Sequence, residues 1–162
     1  MPFPEFWEWV QARPLSEYIG FTYWFPLLES IHVLAIGFVV GSILMVDLRL
    51  LGVAAAGYAA SRITHELVPW TWGAFVVAVI TGVGMFMTRA TAYVENPAFQ
   101  IKLLLLILAC ANMAVFQFRT FRGIVYWDVG VAPPPAARVA GAASLLLWAG
   151  VVLAGRWTGH II

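Results

Sequence analysis

Two ionisable side chains lie inside one of the most apolar stretches of the sequence. The segment LLESIHVLAIGFVVGSILMV, residues 27–46, contains Glu29 and His32 and otherwise no titratable group. Residues three apart share a helix face, and histidines in membrane helices can ligate haem or a metal. Ionisable residues within membrane spans are costly and usually functional. This pair is therefore the first candidate for chemistry.

The composition places the pair in an integral membrane protein. Of the 162 residues, 62% are hydrophobic and only 10% are charged, with a mean hydropathy of +0.89. A soluble domain carries about 25% charged residues, enough to cover a surface that faces water. The net charge of +1 provides no basic field for nucleic acid. The single cysteine, Cys110, excludes an intrachain disulfide.

Four apolar stretches are long enough to cross a bilayer, which takes about 20 residues. These stretches cover about residues 26–51, 68–87, 97–118 and 136–157. Pro69, Pro97 and Pro135 lie at or just before the predicted helix starts, where a missing N–H costs nothing. The links between spans are short, which favours antiparallel neighbours. The sequence therefore predicts an all-α fold, a single transmembrane domain over residues 1–162 built as a four-helix up-down bundle.

A further short helix is predicted ahead of the first span. Phe3, Phe6, Trp7 and Val10 recur at helical spacing, with acidic residues elsewhere on the helix wheel. This pattern is typical of an amphipathic helix that lies in the membrane interface. We expect it to cover about residues 4–13.

The helix rise of about 1.5 Å per residue estimates the depth of each polar group. His32 and Lys102 both lie less than about 10 Å inside the membrane, on the side that carries the two termini. Met85 closes the second span on that same side. His65 precedes the second span at the opposite face, so it cannot share a metal or haem with His32.

Charged groups in hydrocarbon require partners. Glu29 and Lys102 are predicted to form an ion pair beside His32. Asp47 is predicted to pair with Arg49 or Arg119 at the opposite membrane face. The first span also carries GFVVG, and Gly37 and Gly41 form a small-residue surface on which another helix can pack closely.

The leading functional hypothesis is an electron-transfer subunit that holds a b-type haem through His32, with quinone as a candidate redox partner. Met85 and Lys102 are the candidates for a second haem ligand, because no other histidine lies within a span. The redox chemistry would belong to the cofactor.

Two other classes of function stay open. A metal-handling protein or small-solute transporter would use a cavity lined by His32, Glu29 and Lys102, with His32 and Glu29 as metal ligands. Copper would add soft donors from Met45, Met85, Met87, Cys110 and Met113. A structural subunit without any cofactor would instead assemble through Gly37 and Gly41, as a homo-oligomer or within a larger membrane complex.

Basic residues give a weak indication of orientation. Five arginines fall on the side of the long loops: Arg49, Arg62, Arg119, Arg122 and Arg138. Four basic residues fall on the side of the termini: Arg13, Arg89, Lys102 and Arg156. Cytoplasmic loops carry an excess of Lys and Arg, so we expect the termini to be periplasmic.

Several strings in the sequence resemble a known group. They are ESIHVLAIGFVVGSILMVDLRLLG, PWTWGAF, NPAFQIKLLL, YWD and AGRW, and together they span nearly the whole chain. The chain resembles small uncharacterised bacterial four-helix inner-membrane proteins, classed as a domain of unknown function. The resemblance implies a bundle in the bacterial inner membrane. More remotely the bundle is similar to CopD-type copper-resistance domains and to membrane cytochromes b, which implies that His32 is the cofactor or metal residue.

Overall fold

The structure, a computed structural model, describes residues 4–55 and 57–161. Residue 161 is described by its backbone alone. This part of the chain forms seven α-helices and contains no β-strand. They are α1 (Pro4–Gln11), α2 (Pro14–Phe21), α3 (Trp24–Leu51), α4 (Ala60–Thr88), α5 (Ala90–Glu95), α6 (Pro97–Val115) and α7 (Pro135–Ile161). A π-helical turn (Phe116–Thr120) and a 3-10 helix (Phe121–Tyr126) extend α6.

The predicted all-α membrane bundle is confirmed. Four helices, α3, α4, α6 and α7, are long and apolar enough to cross a membrane. Three sides of the bundle are closely packed: α3 against α4, α3 against α7, and α6 against α7. The fourth side differs, because α4 and α6 are not a closely packed pair within the described residues. Their side chains meet near one end, where the rings of Phe86 and Phe99 stack at 5.5 Å.

The helix boundaries differ from the predicted ones at three places. The helix α4 begins at Ala60 rather than near residue 68, so Pro69 lies inside it and not at its start. An internal proline removes one backbone hydrogen bond, but the apolar segment around it keeps the helix continuous. Short helices α2 and α5 appear where the sequence predicted only links.

Polar contacts tie the N-terminal helices and the end of α7 to the same end of the bundle, which we call the terminal end. The Ser16 hydroxyl donates to the carbonyl of Met87 at 2.6 Å, and the Thr91 hydroxyl donates to Gln11 at 2.9 Å. Asn96 caps α6 by accepting from the N–H of Ala98 at 2.9 Å. Its amide donates to the carbonyl of Thr158 at 3.2 Å. The opposite end, formed by residues 52–55, 57–59 and 116–134, is the loop end.

One arginine holds the loop end together. Arg49 is only 2% exposed, and its guanidinium donates to the carbonyls of Tyr58 at 3.0 Å and Asp128 at 2.8 Å. The helix α3 ends one turn later at Gly52, whose φ of +76° is a left-handed conformation that suits glycine. Arg49 therefore joins the end of α3 to both long loops.

The side chain of Asp128 completes this junction. Its carboxylate accepts from the N–H of Ser61 at 2.7 Å and from the Ser61 hydroxyl at 2.8 Å. The backbone hydrogen bond from Ser61 is the main cause that holds the pKa of Asp128 below its ordinary value. Asp128 thus stays ionised at neutral pH and anchors the start of α4.

Replacing Arg49 with alanine is expected to lower the free energy of unfolding by about 3 kcal/mol. The change removes two hydrogen bonds made by a buried charged donor. Thermal unfolding of the purified protein in detergent measures the loss. Arg62→Ala is the control, because Arg62 pairs with Glu66 at the surface, where ion pairs contribute little. Equal effects of the two substitutions would contradict the role of Arg49.

Candidate functional site

His32 faces α4 and not the lipid. Its Nδ1 lies 2.8 Å from the carbonyl oxygen of Ala78 and 3.0 Å from the hydroxyl oxygen of Thr81. A carbonyl only accepts, so Nδ1 carries the proton. Gly82 makes room for the ring, since a Cβ there would lie 3.1 Å from Cε1 of His32. The neutral ring therefore keeps Nε2 as its unprotonated nitrogen.

Lys102 belongs to the same region as His32 but has a different neighbour from the predicted one. The end of its side chain lies along α7 at Gly155, where a Cβ would be 3.8 Å from Nζ. At Gly155 the lysine stem is at ordinary van der Waals distance from α7. The glycine of the string AGRW is the signal in the sequence that could have indicated this neighbour.

The predicted ion pair between Glu29 and Lys102 is wrong. Among residues 4–55 and 57–161 the one salt bridge joins Arg62 to Glu66. Glu29 is exposed and lines a polar pocket at the terminal end, together with Arg89 and Tyr93. Because α3 begins at Trp24, Glu29 lies only five residues inside it and turns towards α5 instead of α6.

The predicted pairing of Asp47 with Arg49 or Arg119 is also wrong. Arg49 lies two residues further along α3, so it points elsewhere and binds backbone carbonyls instead. Arg119 is exposed. Asp47 faces α7, where Ser144 is its hydrogen-bonding neighbour. The backbone of α7 can approach α3 closely because residue 141 is glycine. A Cβ at this position would lie 3.1 Å from the Asp47 carbonyl oxygen.

A cleft lies in the loop-end half of the bundle, and Asp47 is part of its wall. We call it the Asp47 cleft. It encloses a volume of about 100 Å³, and its walls come from all four spans. The wall includes Asp47, Trp72, Phe75, Cys110, Ser144 and Trp148. The cleft opens between α4 and α6, where Trp72 and Cys110 at its rim are exposed.

Most polar groups in the cleft are already satisfied by the protein. The hydroxyls of Thr64 and Thr71 donate to carbonyls of their own helix at 2.8 Å and 2.9 Å. The amide of Asn112 donates to the carbonyl of Ala140 at 3.0 Å. Asp47 differs from them: it is 4% exposed, and within the described residues no group donates to its Oδ2. The cleft therefore contains one buried acceptor without a partner.

An apolar cluster separates the Asp47 cleft from His32. The buried side chains of Val39, Ala109, Trp148 and Val151 pack together between them. The helix rise places His32 and Asp47 about 22 Å apart along α3. The two residues therefore belong to separate sites at opposite ends of the bundle.

The remaining predicted site residues lie apart from each other. Gly37 and Gly41 are exposed, and nothing lies within 4 Å of a Cβ at either position, so they pack no helix of this chain. Packing against a second copy there stays a prediction. Of the soft donors, Cys110 and Met113 line the Asp47 cleft, whereas Met45 is exposed. No group of three or more His, Cys, Asp or Glu side chains in the described segments could hold a metal ion.

The fold and these sites define a multi-pass membrane protein with ionisable groups inside its helical bundle. The chain belongs to DUF6644, a family of unknown function whose model matches residues 6–161. This confirms the resemblance to a domain of unknown function. No curated protein and no solved structure matches the chain. The remote similarity to CopD-type domains and membrane cytochromes b stays a prediction.

Replacing Asp47 with valine is expected to raise the free energy of unfolding by about 1–3 kcal/mol. The change removes a buried polar group that lacks one of its partners and keeps a side chain of similar shape. Thermal unfolding in detergent measures the gain. Thr64→Val is the matched control, because its hydroxyl is already hydrogen-bonded and no gain is expected there. A loss of stability in the Asp47 variant would show that the carboxylate has a structural role.

Proposed function

We propose that the protein binds a small lipophilic molecule in the Asp47 cleft. The observation that carries this proposal is Asp47, a residue of the cleft wall whose buried Oδ2 has no hydrogen-bond donor within the described residues. Buried polar groups without partners are rare in folded proteins and commonly mark functional sites. In a bilayer they are more costly still, since no water replaces the missing donor.

The size and lining of the cleft indicate which kind of molecule it could bind. Its volume of about 100 Å³ is close to that of an apolar cavity of about 150 Å³ that holds benzene. Most of its wall is apolar, with Trp72, Phe75 and Trp148 as the largest side chains. A single aromatic or aliphatic ring with one polar group fits this space, and a longer tail would extend into the lipid.

The position of the opening indicates how a ligand would enter the cleft. Because α4 and α6 do not pack closely, the cleft is accessible sideways from the membrane. The cluster around Val39 and Trp148 closes the path towards the terminal end. The arrangement therefore supports binding from the bilayer and not an open channel. The proposed binding cavity is therefore the Asp47 cleft, whereas the sequence predicted a cavity lined by Glu29, His32 and Lys102.

Fluorine NMR tests the proposal with para-fluorobenzyl alcohol as the probe. The protein is reconstituted in lipid nanodiscs, and the fluorine signal is compared with that of Cys110→Phe, which fills the exposed rim of the cleft. We expect wild-type protein to broaden or shift the signal and the blocked variant to lose that effect. Partition of the probe into lipid is the same in both samples and cancels.

Val77→Phe is the matched control for this experiment. It adds the same ring at an exposed position of α4 that lies outside the cleft wall. This variant should behave as the wild type does. Identical signals from the wild type and Cys110→Phe would show that the cleft does not bind the probe.

Haem binding at His32 is a second candidate function. The supporting observation is the hydrogen bond from Nδ1 to the carbonyl of Ala78. This bond is typical of ligating histidines, because it fixes the ring and leaves Nε2 available. His32 would hold the iron through Nε2, with Met85 or Lys102 as the second ligand. A bound haem would supply one-electron redox chemistry and would make quinone a candidate partner.

The visible spectrum of the purified protein, oxidised and then reduced with dithionite, tests the second candidate. A Soret band that is lost in His32→Ala is the expected result. Thr81→Val is the control, because it keeps the ring and removes only the longer of its two contacts. Absence of a Soret band after growth with added haem precursor would reject haem as a ligand.

The orientation and surroundings of the protein are proposals as well. The excess of arginine at the loop end supports a cytoplasmic loop end and periplasmic termini in a bacterial inner membrane. The Asp47 cleft would then lie in the cytoplasmic half of the bilayer. Assembly of copies through Gly37 and Gly41 would leave the cleft accessible, because neither glycine is part of its wall.

A further inference from the structure

We propose that the molecule bound in the Asp47 cleft is a small lipophilic amine, whose ammonium group pairs with the Asp47 carboxylate between aromatic side chains. This inference rests on the proposed function and names the chemical class of its ligand. It follows from the charge of the wall, from its aromatic content and from the state of its other polar groups.

Charge is the first argument. Asp47 is the one Asp, Glu, Lys or Arg side chain among the described residues of the cleft wall. The protein supplies no cation for this carboxylate within the described residues, because the arginines of the loop end are engaged or turned outward. Arg49 binds backbone carbonyls, Arg62 binds Glu66, and the exposed ones are Arg119, Arg122 and Arg138. A ligand that carries a positive charge would supply the missing cation.

Aromatic rings are the second argument. Trp72 and Phe75 meet edge to face at 5.7 Å, and Phe75 meets Trp148 edge to face at 6.4 Å. All three rings line the cleft. Faces of tryptophan and phenylalanine attract cations, most strongly where water is excluded. This wall therefore favours a cation over a neutral molecule of the same shape.

The hydroxyl groups give the third argument. Ser42 and Thr71 hydrogen-bond to each other at 2.7 Å, and Thr71 also donates to its own helix. A ligand that needs several hydrogen bonds would find few free groups here. An anionic ligand would be repelled by Asp47. One ammonium group on an apolar body would pair with the one buried acceptor that lacks a partner among the described residues and would leave the remaining contacts apolar.

A comparison of two probes of nearly equal shape tests the inference. Para-fluorobenzylamine is positively charged at neutral pH, and para-fluorobenzyl alcohol is neutral. Binding to wild-type protein in nanodiscs of neutral lipid is titrated by fluorine NMR, with Cys110→Phe as the reference for lipid partition. We expect the amine to bind about tenfold more tightly than the alcohol, which corresponds to about 1.4 kcal/mol.

Asp47→Asn identifies the group responsible. It keeps the shape of the side chain and removes its charge, so the amine should bind this variant no more tightly than the alcohol. Glu66→Gln is the matched control, because it neutralises an exposed carboxylate outside the cleft. It should leave the preference for the amine unchanged.

The outcomes separate the two proposals. If the alcohol binds as tightly as the amine and Cys110→Phe abolishes both, the cleft binds ligands but the assignment to amines is wrong. The assignment to amines is also wrong if Asp47→Asn keeps the full preference for the amine. If neither probe distinguishes wild-type protein from Cys110→Phe, the cleft is not a binding site and both proposals fail.

Discussion

In the interior of a bilayer every polar group must find its partner within the protein, and this constraint explains most of the structure. Hydroxyl groups such as those of Thr64, Thr71 and Thr81 bond to carbonyls of their own helix. His32 bonds to the carbonyl of Ala78 on the neighbouring helix. Arg49 is satisfied by two loop carbonyls at the membrane edge. These bonds are local or connect adjacent helices, so each one also fixes how the helices pack.

The bundle is open between α4 and α6 because the contacts that connect its helices lie at its two ends. At the terminal end, stacked rings and the cap at Asn96 connect the helices around the starts of α5 and α6. At the loop end, Arg49 and Asp128 connect α3 and α4 to the loop before α7. Between these two junctions α4 and α6 are not a closely packed pair within the described residues. A cleft can therefore persist there without weakening either end.

The sequence was sufficient for the spans but not for the partners of their charged groups. Runs of apolar residues predicted all four spans. The start of α4 was predicted too late, because Pro69 was assumed to lie at the beginning of the helix. At 100° per residue, Glu29 and Asp47 each lie about 60° from His32 around the helix, but this angle cannot tell which neighbouring helix lies in that direction. The packing order decides this, and it turns Asp47 towards α7 and Glu29 towards α5. The loop carbonyls that bind Arg49 have no signal in the sequence, because backbone groups are the same at every residue.

The free-energy cost of burying its side chain distinguishes Asp47 from the other ionisable residues of the spans. Lys102 can extend its flexible stem along Gly155, and His32 can stay neutral, so neither requires an external partner. A short, rigid aspartate in the middle of a packed wall has no such freedom. Ser144 provides one neighbour, but Oδ2 is buried without a donor among the described residues. A protein that needed Asp47 only for packing would be more stable with an apolar residue there, and the ligand proposed above would give the carboxylate a role that an apolar residue lacks.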